Sequence, residues 1–339
     1  MVELHLKEGL LNITKLIFFT MHLITFKTPI TAKYKIIRRT ISPLIIFINI
    51  IFILNQLVAT SKANELLNFF IGMLTIAAVT NVFCKLVTVS YFEEDIEELF
   101  YWIENFYLDY SATLLAEFKS KYLARTLPYL KLYIKMCIVF VCGFFIYAII
   151  SYTINDILVM RVPYASKGAT VFMQQAIHFG YIFFYGIPIL CFTSTGLIFI
   201  GILRLFNECI EKFENTDVPE NESVLLLYKL HLEIHEKFVI YEKIFSYCLF
   251  FDMTLHGGAM IIVLLIIHLF PGLYVFYYSF SVMCFQVFIY CGFGQFILSE
   301  TEGIQINLYL TKWYEKPLNT QKTLLLMMTM ASRPFWLES

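Results

Sequence analysis

From Met253 to Ser299 the chain runs 47 residues without an Asp, Glu, Lys or Arg, broken once by Pro271-Gly272. A bilayer core of about 30 Å takes roughly 20 apolar residues as a helix. The stretch therefore reads as two membrane crossings joined by a tight turn. A chain that opens with this constraint satisfies its backbone in lipid with helices or a closed barrel, and nothing else.

Four further uncharged windows follow the same arithmetic: Thr40–Ser61, Leu66–Cys84, Met136–Asn155 and Gly168–Leu203. Six crossings result, and the 36 residues of the last window predict a helix that extends past the bilayer or tilts. The composition agrees, with 59% hydrophobic residues and 15% charged ones, against about 25% charged in soluble domains. A net charge of −1 gives no electrostatic handle for nucleic acid. The eight cysteines lie in or beside apolar runs without metal-binding spacing, so they read as packing residues. Leu16–Ile24 is apolar but short and has no small-residue cleavage site, which favours an amphipathic helix on the membrane surface over a signal peptide.

Basic residues orient the chain. With the N-terminus inside, only Lys62, Arg161 and Lys167 of the 25 Lys and Arg fall in outer loops. The expected organisation is a cytoplasmic segment 1–39, a six-span domain 40–299 and a cytoplasmic segment 300–339. The inner connections read as helices. In 93–107, Ile96, Leu99, Phe100, Ile103, Phe106 and Tyr107 share one face while Glu93, Glu94, Asp95, Glu97, Glu98 and Glu104 hold the other. Residues 224–245 repeat the pattern, so the membrane helices should continue inward into a second packed layer.

Catalytic and nucleotide-binding motifs are missing, and no enzyme or cofactor is expected. His231 and His235 flank Glu233 at i, i+4, but not in the order of a zinc helix, and read as a solvated face. Asp252 and His256 also stand at i, i+4, inside the fifth crossing and before Gly257-Gly258. Ionisable groups at that depth face protein or water, which leaves a helix–helix hydrogen bond with close glycine packing, or a water-lined path. Aromatic and Met residues gather at the outer ends of four spans: Phe70 and Met73; Phe145 and Ile149; Met173, Ile177, His178 and Tyr181; Tyr277, Tyr278 and Phe280. They fit an interfacial belt and an apolar ligand pocket equally well.

The tail carries the most specific lettering. FIYCGFGQ (Phe288–Gln295), Glu300, NLYLTKWYEKP (Asn307–Pro317) and QKTLLLMMTMASRP (Gln321–Pro334) follow in order, and the last is too short an apolar helix to span. This run resembles the insect odorant receptor family. The resemblance implies an all-α, seven-helix channel subunit in the plasma membrane of a sensory neuron dendrite, with a cytoplasmic helical anchor. It implies an odorant-gated, nonselective cation channel, assembled as a heterotetramer with a co-receptor. A pocket for a small neutral volatile would lie among Phe70, Met73, Phe145, Ile149, Met173, Ile177, Tyr181, Tyr277, Tyr278 and Phe280. Tyr290, Gly294, Gln295, Trp313, Tyr314 and Pro317 would serve the anchor. The short connection between the fourth and fifth spans marks a tuning subunit. The resemblance implies a further pore-lining helix after the Arg333-Pro334 motif, so the expectation is either a sequence given short of its seventh span or a subunit without a pore helix of its own. A gustatory receptor of the same superfamily, or a metabotropic seven-helix receptor with its N-terminus outside, are the alternatives.

Overall fold

A computed structural model describes residues 2–25, 27, 34–62, 65–108, 113–154, 160, 166–212 and 220–332. Those residues form nine α-helices and no strand: α1 (Val2–Ile24), α2 (Lys35–Lys62), α3 (Leu66–Tyr91), α4 (Glu93–Leu108), α5 (Thr113–Ile154), α6 (Lys167–Lys212), α7 (Glu220–Leu269), α8 (Tyr274–Leu310) and α9 (Leu318–Ala331). Five helices are long and apolar enough to cross a membrane: α2, α3, α7, α8 and the Phe184–Lys212 part of α6. The expected crossing at 136–155 lies within α5, whose side chains there are described only in part.

Burial divides the bundle into two zones. The most apolar window of α6 is 83% buried, against 22–33% for the other four spans. α6 is therefore the central post, packed on α5, α8, α3, α1 and α7. Two glycines let neighbours approach it. A Cβ on Gly196 would stand 2.8 Å from the Tyr241 hydroxyl, and one on Gly201 would stand 2.6 Å from the Thr126 hydroxyl. The end of the bundle where α1, α4 and α9 pack against α5, α6, α7 and α8 we call the platform.

The platform holds the main apolar core. α4 buries Ile96, Leu99, Phe100 and Ile103 completely, on the face that its sequence period marks. The apolar row of α1, expected to face a membrane surface, turns into the protein. Leu10, Ile13, Ile17 and Met21 recur at three- and four-residue steps and are all at most 7% exposed, covered by α4, α5 and α6. Protein is a better cover than the interface here because α4 offers a matching row, with Phe18 edge-on to Phe100 at 5.6 Å. Outside lipid, each such burial contributes about 1.5–3 kcal/mol. Inside lipid that driving force is absent, and packing and hydrogen bonds must hold the helices.

Polar links fasten the platform. His22 lies 3.0 Å from Glu97, Lys27 also bonds Glu97, and Thr25 donates to Glu93 at 3.1 Å. One oxygen or nitrogen each from His22, Glu93 and Glu97 lies within 4.8 Å of the others, but the Lys27 ammonium already stands among them. Burial raises the Glu97 carboxyl, and the Lys27 and His22 bonds more than reverse this, so its pKa ends below the ordinary value. Trp102 donates to Glu233 at 2.6 Å, and Asn207 donates to the Glu300 carbonyl at 2.8 Å. His231 is 1% exposed and stacks on Phe206 at 5.2 Å, which corrects its reading as part of a solvated face.

A left-handed Lys312 (φ 49°) turns the chain after α8 into the 3₁₀ turn Trp313–Glu315. Gln321 then closes that turn by donating to the carbonyls of Tyr314 (3.0 Å) and Lys316 (2.8 Å). α9 packs back on α7 and α8.

Candidate ligand pocket and the polar cluster beneath it

Midway along the spans, α3, α7 and α8 meet at one carboxylate, and α6 closes the cluster around it. Asp252 of α7 is 2% exposed, and the equally buried Lys85 ammonium of α3 lies 2.8 Å away. Tyr290 of α8 donates to the second oxygen at 2.6 Å, and Asn81 of α3 donates to the first at 2.5 Å. One turn along α7, His256 sits 3.3 Å from Asn81 and 3.1 Å from the Gln286 carbonyl. Tyr185 of α6 donates to Gln286 at 2.5 Å, and its ring lies 4.4 Å from the Lys85 ammonium. Gln286 completes the circuit by donating to Tyr290 at 2.8 Å.

A buried ion pair does not stabilise for free, because both ions lose hydration on entering the bundle. Here the ring of donors around Asp252 and the Tyr185 face beside Lys85 offset that loss. The sequence pointed to Asp252 and His256 but missed Lys85, Asn81, Tyr185 and Gln286. Lys85 directly follows an uncharged window and looked like a boundary residue. α3 in fact continues unbroken to Tyr91 and keeps it inside. The four-residue step from Asn81 to Lys85, matching Asp252 to His256, was the available signal. Gly257 and Gly258 have no neighbour within 4 Å of an added Cβ, so the expected close glycine packing does not occur there. Tyr290, expected in the anchor, is instead 7% exposed and turned into this cluster.

Away from the platform, the same helix faces carry residues expected to line a pocket. Helical residues four apart lie one above another. Ile177 and Tyr185 stand two such steps apart on α6; Tyr278, Val282, Gln286 and Tyr290 form a row on α8; Met73, Ala77, Asn81 and Lys85 form another on α3. Eight residues separate Met73 from Asn81 and Tyr278 from Gln286, about 12 Å of rise. Phe70 and Phe280 pack against a small cluster built from Ile71, Leu74, Val263, Ile266 and Phe276. A Cβ on Gly143 of α5 would lie 3.9 Å from the Tyr278 hydroxyl, so α5 also reaches this region. Ile149 is half-buried, and the side chains of Phe145, His178 and Tyr181 lie outside those described.

Exposure separates two kinds of residue here. Met73, Met173, Tyr277 and Tyr278 are 36–43% exposed, whereas Phe172 and Tyr274 beside them are 72% and 74% exposed. Of the other expected anchor residues, Gln295, Tyr314 and Pro317 are exposed, Gly294 is half-buried, and Trp313 is half-buried against the main core.

This arrangement defines a multi-pass helical membrane protein with a buried ion pair among its spans. A family model described as 7tm odorant receptor matches residues 65–338, and the chain belongs to the odorant receptor family. In structure it is similar to the insect olfactory receptor OR5 from Machilis hrabei, with a TM-score of 0.73 at 11% identity, over 99% of this chain and 91% of that one. The same values hold for OR5 in complex with eugenol. No curated protein matches in sequence.

Proposed function

We propose that this odorant receptor is a tuning subunit of a volatile-gated, nonselective cation channel formed with a co-receptor. The platform faces the cytoplasm in this reading, as the distribution of Lys and Arg requires. The ligand enters among α3, α5, α6 and α8 at the end away from the platform. The observation that carries the pocket is the half-exposure of Met73, Met173, Tyr277 and Tyr278. A pure lipid-facing belt would leave them as open as Phe172 and Tyr274.

Such walls suit a small, neutral, lipophilic molecule, because their chemistry is apolar with a few phenol groups. Burial of ligand surface contributes about 25 cal/mol per Å². Occupancy opens the channel only in so far as the ligand binds the open arrangement better than the closed one. That OR5 has been seen with eugenol supports this size and chemistry for a relative of the same fold. Trp313, Tyr314 and Pro317, in the turn between α8 and α9, lie where neighbouring subunits would be joined in this reading.

The test is a panel of volatiles applied to cells expressing the chain with a co-receptor. Tyr277→Ala and Met173→Ala should each reorder the responses while the complex still reaches the surface. An unchanged order in both variants would contradict the pocket.

A further inference from the structure

The three residue rows that descend from the pocket all end in the same place. On α3, α6 and α8 the row passes from Met73, Ile177 and Tyr278 to Asn81, Tyr185 and Gln286. The last three residues are hydrogen-bonded, directly or through one partner, to Asp252 or His256 of α7. Below, Tyr290 sets its ring edge-on to Phe192 of α6 at 5.5 Å. Phe192 then stacks face to face on Tyr241 of α7 at 5.7 Å and 9°. The polar cluster thus touches both the pocket rows and the aromatic core of the platform.

Its chemistry suits a switch better than a plug. Lys85 and Asp252 are joined across two helices, and their contact is either made or broken, with no intermediate that keeps both ions satisfied in a medium this dry. The ammonium lies 2.8 Å from the carboxylate yet off the direction of a hydrogen bond, and Asn81 Oδ1 is buried without a bond. Hydrogen-bonding capacity is therefore left over on α3. Lys85, Asp252 and Tyr290 also border a cavity of about 10 Å³, close to the smallest that takes one water. A packed apolar layer would have no polar group to satisfy when α3 moves against α7, whereas this one has a spare donor and a spare acceptor on α3 and room for a water beside them.

We propose that Lys85 and Asp252, with Tyr185, His256, Gln286 and Tyr290, are positioning residues that couple the occupied pocket to the channel gate. They touch neither the ligand nor the conduction path. Their closed contact holds α3 against α7, and a ligand that spreads the rows above it shifts the balance toward the broken contact. The inference rests on the channel reading given above.

The experiment uses the full chain with a co-receptor and two readouts, ligand-free current and the dose–response to the panel volatile that evokes the largest wild-type current. The variants are the neutral pair Lys85→Met with Asp252→Leu, and the milder Tyr290→Phe, which keeps the ring against Phe192. Surface labelling is read alongside. Coupling predicts normal surface levels with a raised ligand-free current, or a dose–response moved by about fivefold or more, the usual lower end of allosteric coupling. If the neutral pair fails to reach the surface, Tyr290→Phe carries the comparison. Variants at the surface with wild-type currents and an unmoved dose–response would overturn the coupling role alone. A wild-type complex at the surface with no current of either kind would overturn the channel reading, and the coupling role with it.

Discussion

Lys85 and Asp252 face each other at 2.8 Å, each 2% exposed, from helices whose sequence positions are far apart. Breaking such a pair leaves one uncompensated ion, at a cost of about 3–5 kcal/mol, whereas replacing both by apolar groups is often neutral. We expect Lys85→Met alone and Asp252→Leu alone to lower the melting temperature of the purified protein sharply. The double variant should recover most of the loss. Single variants as stable as wild type would mean that the pair is not formed.

Gly196 and the Gly257-Gly258 pair should respond oppositely to a methyl group. Gly196→Ala drives a Cβ against the Tyr241 hydroxyl, on a ring that is fully buried and bonded to the Phe192 carbonyl at 3.2 Å. Overpacking of this kind costs about 1–3 kcal/mol. Gly257→Ala and Gly258→Ala meet nothing, and a helix interior gains up to about 1 kcal/mol from the change. Thermal unfolding of the three variants in detergent checks the contrast.

Acid should loosen α1 from α4. The Glu97 carboxyl is depressed by Lys27 and His22 despite its burial. A depressed carboxyl adds stability that is complete above its unfolded pKa, about 4.3 for glutamate, and is lost as the pH falls through the lower folded value. Hydrogen-exchange protection in α1, taken against the intrinsic rate at each pH, should therefore be constant from pH 7 to about 5 and fall below about pH 4. Glu97→Gln should weaken docking at neutral pH and flatten that acid step. An identical acid profile in the variant would remove Glu97 from the linkage.

Much of this architecture was legible in the letters. Five of the six expected crossings fall on helices long and apolar enough to span, and the acidic–apolar period of 93–107 marked α4 together with the face it buries. What escaped was partner choice. Lys85 looked like a boundary charge because snorkelling to the interface is the usual fate of a lysine at the end of an apolar run. Only the distant Asp252 makes its burial tolerable, and no local pattern records that. His231 read as solvated because a charged helix face looks the same whether water or Phe206 covers it. α1 shows the same limit, since an amphipathic stripe states that a face will be covered but not by what. The outer residues behaved differently: their type and depth were plain, while the choice between belt and pocket depended on exposure, which is a property of the assembled bundle.

Gly143 offers a check on pocket size. An added Cβ would lie 3.9 Å from the Tyr278 hydroxyl, an ordinary contact with room beyond it. Gly143→Leu should fill the space under Tyr278 and lower responses to the larger volatiles of a homologous series more than to the smaller ones. A uniform loss across the series would point to folding instead.

Whole-cell current under a panel of small neutral volatiles, with the chain expressed alone and with a co-receptor, bears most directly on the function. We expect volatile-evoked current only in the pair, carried about equally by sodium and potassium and present within the time of solution exchange. A pair that reaches the surface and stays electrically silent to every volatile, or one that responds only through a soluble second messenger, would contradict it.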